Sequence, residues 1–287
     1  MKSKKQDYLA CLIFLGPSLL GFALFYLIPF LGGLYYSLIE SPNNHRFVGL
    51  LNYANLFQST AFLKATSNTL IFTAYSVPII IVVSLGLALL LNRNVYYQKL
   101  LKTVFVSSMA VPVASVAFFW QMIFDVWGPL NYQIMAWGGT PVDWLNTFWA
   151  RIVILIVYLW KNLGYNMVLF LAGLQNIPKG YYELAKLEGA NPWQQFLKVT
   201  LVYLTPTLFF VLIISIINSF KVFRETYLIA GNYPHDSLYM LQHYINNNFM
   251  VLDYQKLTAA ALVFATIIYF MIFGFFRIER RLTARIG

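Results

Sequence analysis

Apolar residues in this chain are gathered into long blocks, and most polar residues fall between them. The first block runs from Tyr8 to Ile39 without a charged side chain. Five more follow, at about Ala65–Leu91, Thr103–Phe124, Ile152–Leu174, Val199–Phe220 and Leu257–Phe276. Each is close to the ~20 residues that carry a helix across ~30 Å of hydrocarbon. Backbone groups in lipid must be satisfied within the segment, and no block alternates as a barrel strand would, so six helices are predicted. Pro17 and Pro29 are expected to kink the first helix or mark its ends. That block is too long for a signal peptide and is read as a retained span. The fold class is therefore an all-α integral membrane protein with six transmembrane helices in one domain, residues 1–287.

One polar stretch does more than join two spans. Residues 177–198, opening Ile177-Pro178-Lys179-Gly180, separate the fourth and fifth blocks. Pro178 suits a first helical turn, and Tyr181 to Glu188 are mostly helix formers. Gly189 sits where a left-handed residue ends a helix. Asn191-Pro192 then offers a capping residue followed by proline at the first helical position. The expectation is two short helices around a sharp turn, forming a docking element.

Composition narrows the class. Residues are 60% hydrophobic and 10% charged, a balance of an integral membrane protein. The net charge of +10 does not indicate nucleic-acid binding, because the basic residues are scattered between apolar blocks. With the N-terminus inside, Lys2, Lys4, Lys5, Arg93, Lys99, Lys102, Lys179, Lys186, Lys198, Arg277, Arg280, Arg281 and Arg285 are cytoplasmic. Arg46, Lys64, Arg151 and Lys256 are outside, so thirteen basic residues face four. The positive-inside rule places both termini and the 177–198 loop in the cytoplasm. No Gly-Lys dipeptide occurs, which excludes a P-loop. His45, His235, His243 and the lone Cys11 form no metal-ligand pattern, and no paired carboxylates or Gly-x-Ser-x-Gly suggest hydrolysis.

Polar side chains within the spans are the remaining signal. Lys161 lies nine residues beyond Ile152, or ~14 Å along a helix. Tyr165 is one turn from Lys161, and Asn166 one turn from Asn162. At the end of the fifth block, Ser215, Asn218, Lys221 and Glu225 recur at three- and four-residue steps, with Arg224 beside them. Charges at that depth face protein or a watery path. They are either a translocation path or interhelical polar contacts, the latter including a Lys221–Glu225 pair one turn apart.

The loop resembles the EAA loop of ATP-binding-cassette (ABC) importer permeases, in Glu183-Leu184-Ala185, Gly189-Ala190 and Thr200-Leu201-Val202 before Pro206. Leu184 and Val202 depart from the family's usual alanine and proline. Phe47-Val48-Gly49-Leu50-Leu51-Asn52-Tyr53, Trp193-Gln194-Gln195-Phe196 and Ala230-Gly231-Asn232-Tyr233-Pro234 are similar to the carbohydrate-importing (maltose/glycerol-3-phosphate-type) branch. The resemblance implies a non-catalytic permease subunit forming half the path for a sugar or oligosaccharide. It implies a second homologous permease, two ATP-binding subunits, an extracytoplasmic sugar-binding protein and a bacterial or archaeal plasma membrane. Cofactors would be absent from this chain, with ATP and Mg on the ATPase subunits. Glu183, Ala185, Gly189, Ala190, Trp193 and Phe196 would couple to the ATPase. Lys161, Asn162, Tyr165, Asn166, Asn218, Lys221, Arg224 and Glu225 are the candidate path. The cations at depth leave an acidic sugar or sugar phosphate as an alternative substrate. A gradient-driven secondary transporter is a further one, disfavoured by the lack of repeats and coupling acids.

Overall fold

The computed structural model describes residues 4–92 and 98–283. Lys2, Arg93 and Arg285, which enter the charge count, lie outside the described residues. The elements are α1 (Lys4–Phe22), α2 (Ile28–Ser37), α3 (Leu51–Gln58), α4 (Thr60–Asn92), α5 (Gln98–Ser107), α6 (Val113–Ile123) and α7 (Pro129–Ala136). They continue with α8 (Ala150–Gln175), α9 (Lys179–Leu187), α10 (Pro192–Gln195), α11 (Leu201–Phe220), α12 (Phe223–Ala230), α13 (Leu241–Met250) and α14 (Tyr254–Thr283). Among the described residues, five helical stretches are long and apolar enough to cross a membrane, and a bent pair, counted as one span, makes six.

That pair corrects the expected third span. Lys99–Ala110 and Val113–Ile123 meet at 101° instead of forming one rod over 103–124. Pro112 is the cause: the residue before proline is pushed out of the helical region, and Val111 is extended at φ −76, ψ 128. The first span behaves differently. Helix persists through Pro17, and a wider π-type turn, Ala23–Leu27, stands just before Pro29. Such a turn relieves the clash of the proline ring with the carbonyl one turn back.

The chain packs as two compact units, Met1–Leu63 with Tyr244–Thr266, and Lys64–His243 with Ile267–Gly287. In the first, Asn52 donates to the Ser37 and Ile39 carbonyls at 3.0 and 2.9 Å, fixing α3 beneath the end of α2. Phe62 packs edge-on against Phe57 and Tyr244, and the Tyr36 and Tyr254 rings lie 6.0 Å apart at a tilt of 32°. Along the Cys11–Ser37 span no apolar side chain is buried within the chain, and Ser37 is its one buried residue. Its outward Leu, Phe and Ile side chains are suited to hydrocarbon or another apolar chain.

The second unit holds the functional elements around two apolar clusters. One gathers Phe72, Ile80, Val116, Ile154, Val157 and Tyr158. The other gathers Leu85, Met167, Phe170, Leu171, Leu204 and Val211. Small residues set the spacing of α8. A side chain on Gly164 would strike the Phe105 carbonyl at 2.0 Å, and one on Gly173 would strike Thr207 at 2.7 Å. Polar contacts tie the ends of α4 and α8 to the 235–239 segment. Arg151 donates to Asn68 Oδ1 at 3.0 Å and to the Ser237 carbonyl at 3.2 Å. Lys64 pairs with Asp236 at 2.5 Å and holds its carboxyl below the usual range. Buried Asn131 donates to the Asp125, Val126 and Val142 carbonyls and accepts from Val142 N–H and Trp144 Nε1, ordering the loop from 125 to 144.

Candidate translocation cavity and coupling loop

The polar site forms where α11 stops. Lys221 closes that helix, its N–H reaching the Ile217 and Asn218 carbonyls at 3.2 and 3.1 Å. After a two-residue turn, α12 starts at Phe223. The break destroys the register that would set Lys221 one turn below Glu225. Glu225, 3% exposed, instead forms an ion pair with Lys161 of α8. This corrects the local Lys221–Glu225 pairing.

A second contact joins α8 to α11: Asn218 Nδ2 donates to Asn162 Oδ1 at 3.0 Å. Asn162 in turn donates to the Tyr158 carbonyl at 2.8 Å. Around these groups lies a cavity of about 200 Å³ lined by Tyr158, Lys161, Asn162, Asn218, Lys221, Val222, Arg224 and Glu225. Six of the eight candidate path residues thus meet in one place. Tyr165 is half-buried and Asn166 fully buried, and neither lines the cavity. Asn166 Nδ2 donates to Ser215 Oγ at 2.8 Å, which makes it a link between α8 and α11. Tyr158 and Val222 are the lining residues that the sequence did not single out; the Tyr158 hydroxyl donates to the Ser215 carbonyl at 2.8 Å, and its ring packs edge-on against Phe72.

The loop after α8 is built from caps. Pro178, extended at ψ 132, is the N-cap of α9, one position earlier than its expected place inside the first turn. At the far end Gly189 has φ +80. Its N–H reaches the Lys186 carbonyl at 3.0 Å, and the Ala190 N–H reaches that of Ala185 at 2.9 Å. These two bonds are the Schellman pattern that a left-handed glycine permits. Asn191 Oδ1 then accepts from the Gln194 N–H at 2.8 Å, and Gln194 Oε1 accepts from the Asn191 N–H at 2.9 Å. This reciprocal capping box starts α10. The second helix is not an isolated short one: a π-type turn, Phe196–Thr200, carries it directly into α11.

Tyr182 and Ala185 turn inward against the second core cluster, and Tyr182 Oη bonds Thr200 Oγ1 at 3.0 Å. The outer face of the hairpin carries exposed Glu183, which makes no ion pair among the described residues, and Trp193, stacked on Phe196 at 5.5 Å. A cleft of about 660 Å³ opens between α9 and the start of α11. Ala185, Gly189 and Ala190 line it, whereas Glu183, Trp193 and Phe196 lie outside. Sequence reasoning missed its Tyr181–Tyr203 wall, with rings 4.5 Å apart, and Leu187, which is 86% exposed. The signal was available: Leu184 and Leu187 are an apolar pair three residues apart on a short polar helix.

Residues 80–286 match the family described as binding-protein-dependent transport system inner membrane component. The chain belongs to that family. Similar to it are the lactose transport system permease protein LacF of Rhizobium radiobacter, 33% identical over 82% of this chain and 81% of its own. Also similar is the arabinooligosaccharides transport system permease protein AraP of Bacillus subtilis (strain 168), 34% identical over 77% and 72%. A solved structure of a bacterial ABC transporter involved in import of the acidic polysaccharide alginate shares the fold, with a TM-score of 0.85 and 24% identity over 97% of both chains. This permease is therefore an integral membrane component of a transport system, and the all-helical expectation and the family resemblance agree with these findings.

Proposed function

We propose that this permease forms half of the membrane path of a carbohydrate importer, energised by ATP hydrolysis on two separate subunits. A second homologous permease supplies the other half, and an extracytoplasmic binding protein delivers the sugar. Both termini face the cytoplasm of a bacterial or archaeal cell, and the α9–α10 hairpin is the element the ATPase grips. The relatives named for lactose and arabinooligosaccharides support the substrate class. The observation that carries the coupling role is the hairpin itself. Its turn is fixed by a left-handed glycine and a capping box, yet it leaves Leu184, Leu187 and Trp193 in the open, an arrangement suited to a partner's groove. Closing of the ATPase dimer would move this rigid hairpin with α8 and α11, switching the cavity between the two sides of the membrane.

The test is uptake by the assembled complex in proteoliposomes with ATP inside and all ion gradients collapsed. Saccharide accumulation under those conditions is expected. Accumulation that needs an ion gradient and ignores ATP overturns the reading in favour of a secondary transporter.

A further inference from the structure

The cavity at the break between α11 and α12 is not electrically balanced. Three cations, Lys161, Lys221 and Arg224, line it against one acid, Glu225. Lys161 and Glu225 neutralise each other, with side-chain exposures of 29% and 4%. Lys221 and Arg224 are both exposed, and neither makes an ion pair among the described residues. Lys161 is the twelfth of 26 residues in α8, so this group of charges sits at the middle of a membrane-crossing helix. An uncompensated cation at that depth is costly in any apolar surrounding and is kept where an anion or water meets it. The rest of the lining includes the amides of Asn162 and Asn218, groups that hydrogen-bond sugar hydroxyls.

We infer that this cavity takes a saccharide carrying a negative charge, a uronate carboxylate or a phosphate ester, with Lys221 and Arg224 as its counter-charges. The inference rests on the carbohydrate-import reading above and narrows it to anionic sugars. Arg224 offers a planar fork that matches two oxygens of either group, and Lys221 adds a point charge beside it. Glu225, held by Lys161, is kept from capturing these two cations, which leaves them free for cargo. A neutral saccharide would leave both without a partner at mid-membrane.

The experiment is uptake by the full complex with its extracytoplasmic binding protein in proteoliposomes, driven by internal ATP; the binding protein is the same for every variant, so any change with Lys221 or Arg224 reports selection by the permease. Three probes are used: trigalacturonate, glucose 6-phosphate and neutral maltotriose. At least one anionic probe is expected to enter roughly tenfold faster than maltotriose, the ratio that one charge-assisted contact supports. Preference for the uronate or for the phosphate tells which group the cavity fits. Arg224→Gln and Lys221→Gln should each erase most of that preference, and Arg224→Lys should restore part of it, while copurified ATPase reports assembly. Equal or faster entry of maltotriose defeats the inference and leaves carbohydrate import standing. So does an anion preference unchanged in Arg224→Gln and Lys221→Gln, since the two cations then pair with something other than cargo. Entry of none of the three probes defeats the inference, and the collapsed-gradient experiment decides carbohydrate import separately.

Discussion

The Lys161–Glu225 pair is asymmetric in a way that makes a sharp prediction. The Glu225 side chain is 4% exposed and that of Lys161 29%, so only the lysine can reach water if its partner is lost. Lys161→Met strands a carboxylate inside α8, α11 and α12, which costs about 3–5 kcal/mol for a buried pair broken from one side. Glu225→Gln keeps an acceptor for the ammonium and lets the long lysine stem swing outward, so its cost is about 1 kcal/mol. The double substitution Lys161→Met with Glu225→Gln removes both charges and should lie within about 2 kcal/mol of the natural protein. Thermal unfolding of the purified permease in one detergent reads all three, and 3–5 kcal/mol corresponds to a fall of roughly 6–10 °C at this chain length. A double-mutant cycle should show a coupling of at least about 2 kcal/mol. Equal losses for Lys161→Met and Glu225→Gln, or additive losses in the double variant, would refute the argument that burial of Glu225 sets the energetics.

Other tests follow from local geometry. Gly189 has φ +80 and open space around the position a side chain would take, so Gly189→Ala brings backbone strain of about 1 kcal/mol without a steric clash; ATPase copurification should weaken, and less so for Gly189→Asn, which tolerates that conformation. Equal retention in both would show that the turn does not aim the hairpin. Burial pushes His243 down to about 4 from 6.5, so the unfolded chain binds more protons between those values and stability falls as pH drops from 6.5 toward 4. His243→Phe should flatten the dependence of the unfolding midpoint over that window; an unchanged slope would mean that another group carries it.

What the sequence disclosed was the chemistry that acts over a few residues. The caps of the hairpin are of this kind: Gly189, Asn191 and Pro192 each act within one turn, so their residue types and spacing suffice. The spans were legible for the same reason, since length and apolarity alone decide them. The bend at Val111-Pro112 was missed because an unbroken apolar run masks a local break, although proline carried the signal. Pairing over distance was not legible. Glu225 matches Lys221 by helical periodicity, and only the turn at Lys221–Val222 hands it to Lys161, 64 residues away. Asn166 and Asn162 share a helix face, yet one bonds Ser215 in the packed interior and the other lines the cavity. Which of two neighbouring amides meets open space depends on how α8 and α11 cross, and that is set by Gly173 against Leu204 and Thr207.

In the proposed transport cycle the α11–α12 break lies on the path and changes sides as ATP is bound and hydrolysed. The most direct measurement is thiol accessibility of Asn218→Cys, in a Cys11→Ser background, in the assembled complex. An impermeant reagent applied from the extracytoplasmic side should modify the introduced cysteine at different rates with the ATPases empty and with them trapped by ATP and vanadate. The same cysteine placed at Asn166, which is fully buried between α8 and α11, should stay unreactive in both states. A residue 218 that is unreactive in both states, or modified at one rate regardless of nucleotide, would contradict the account.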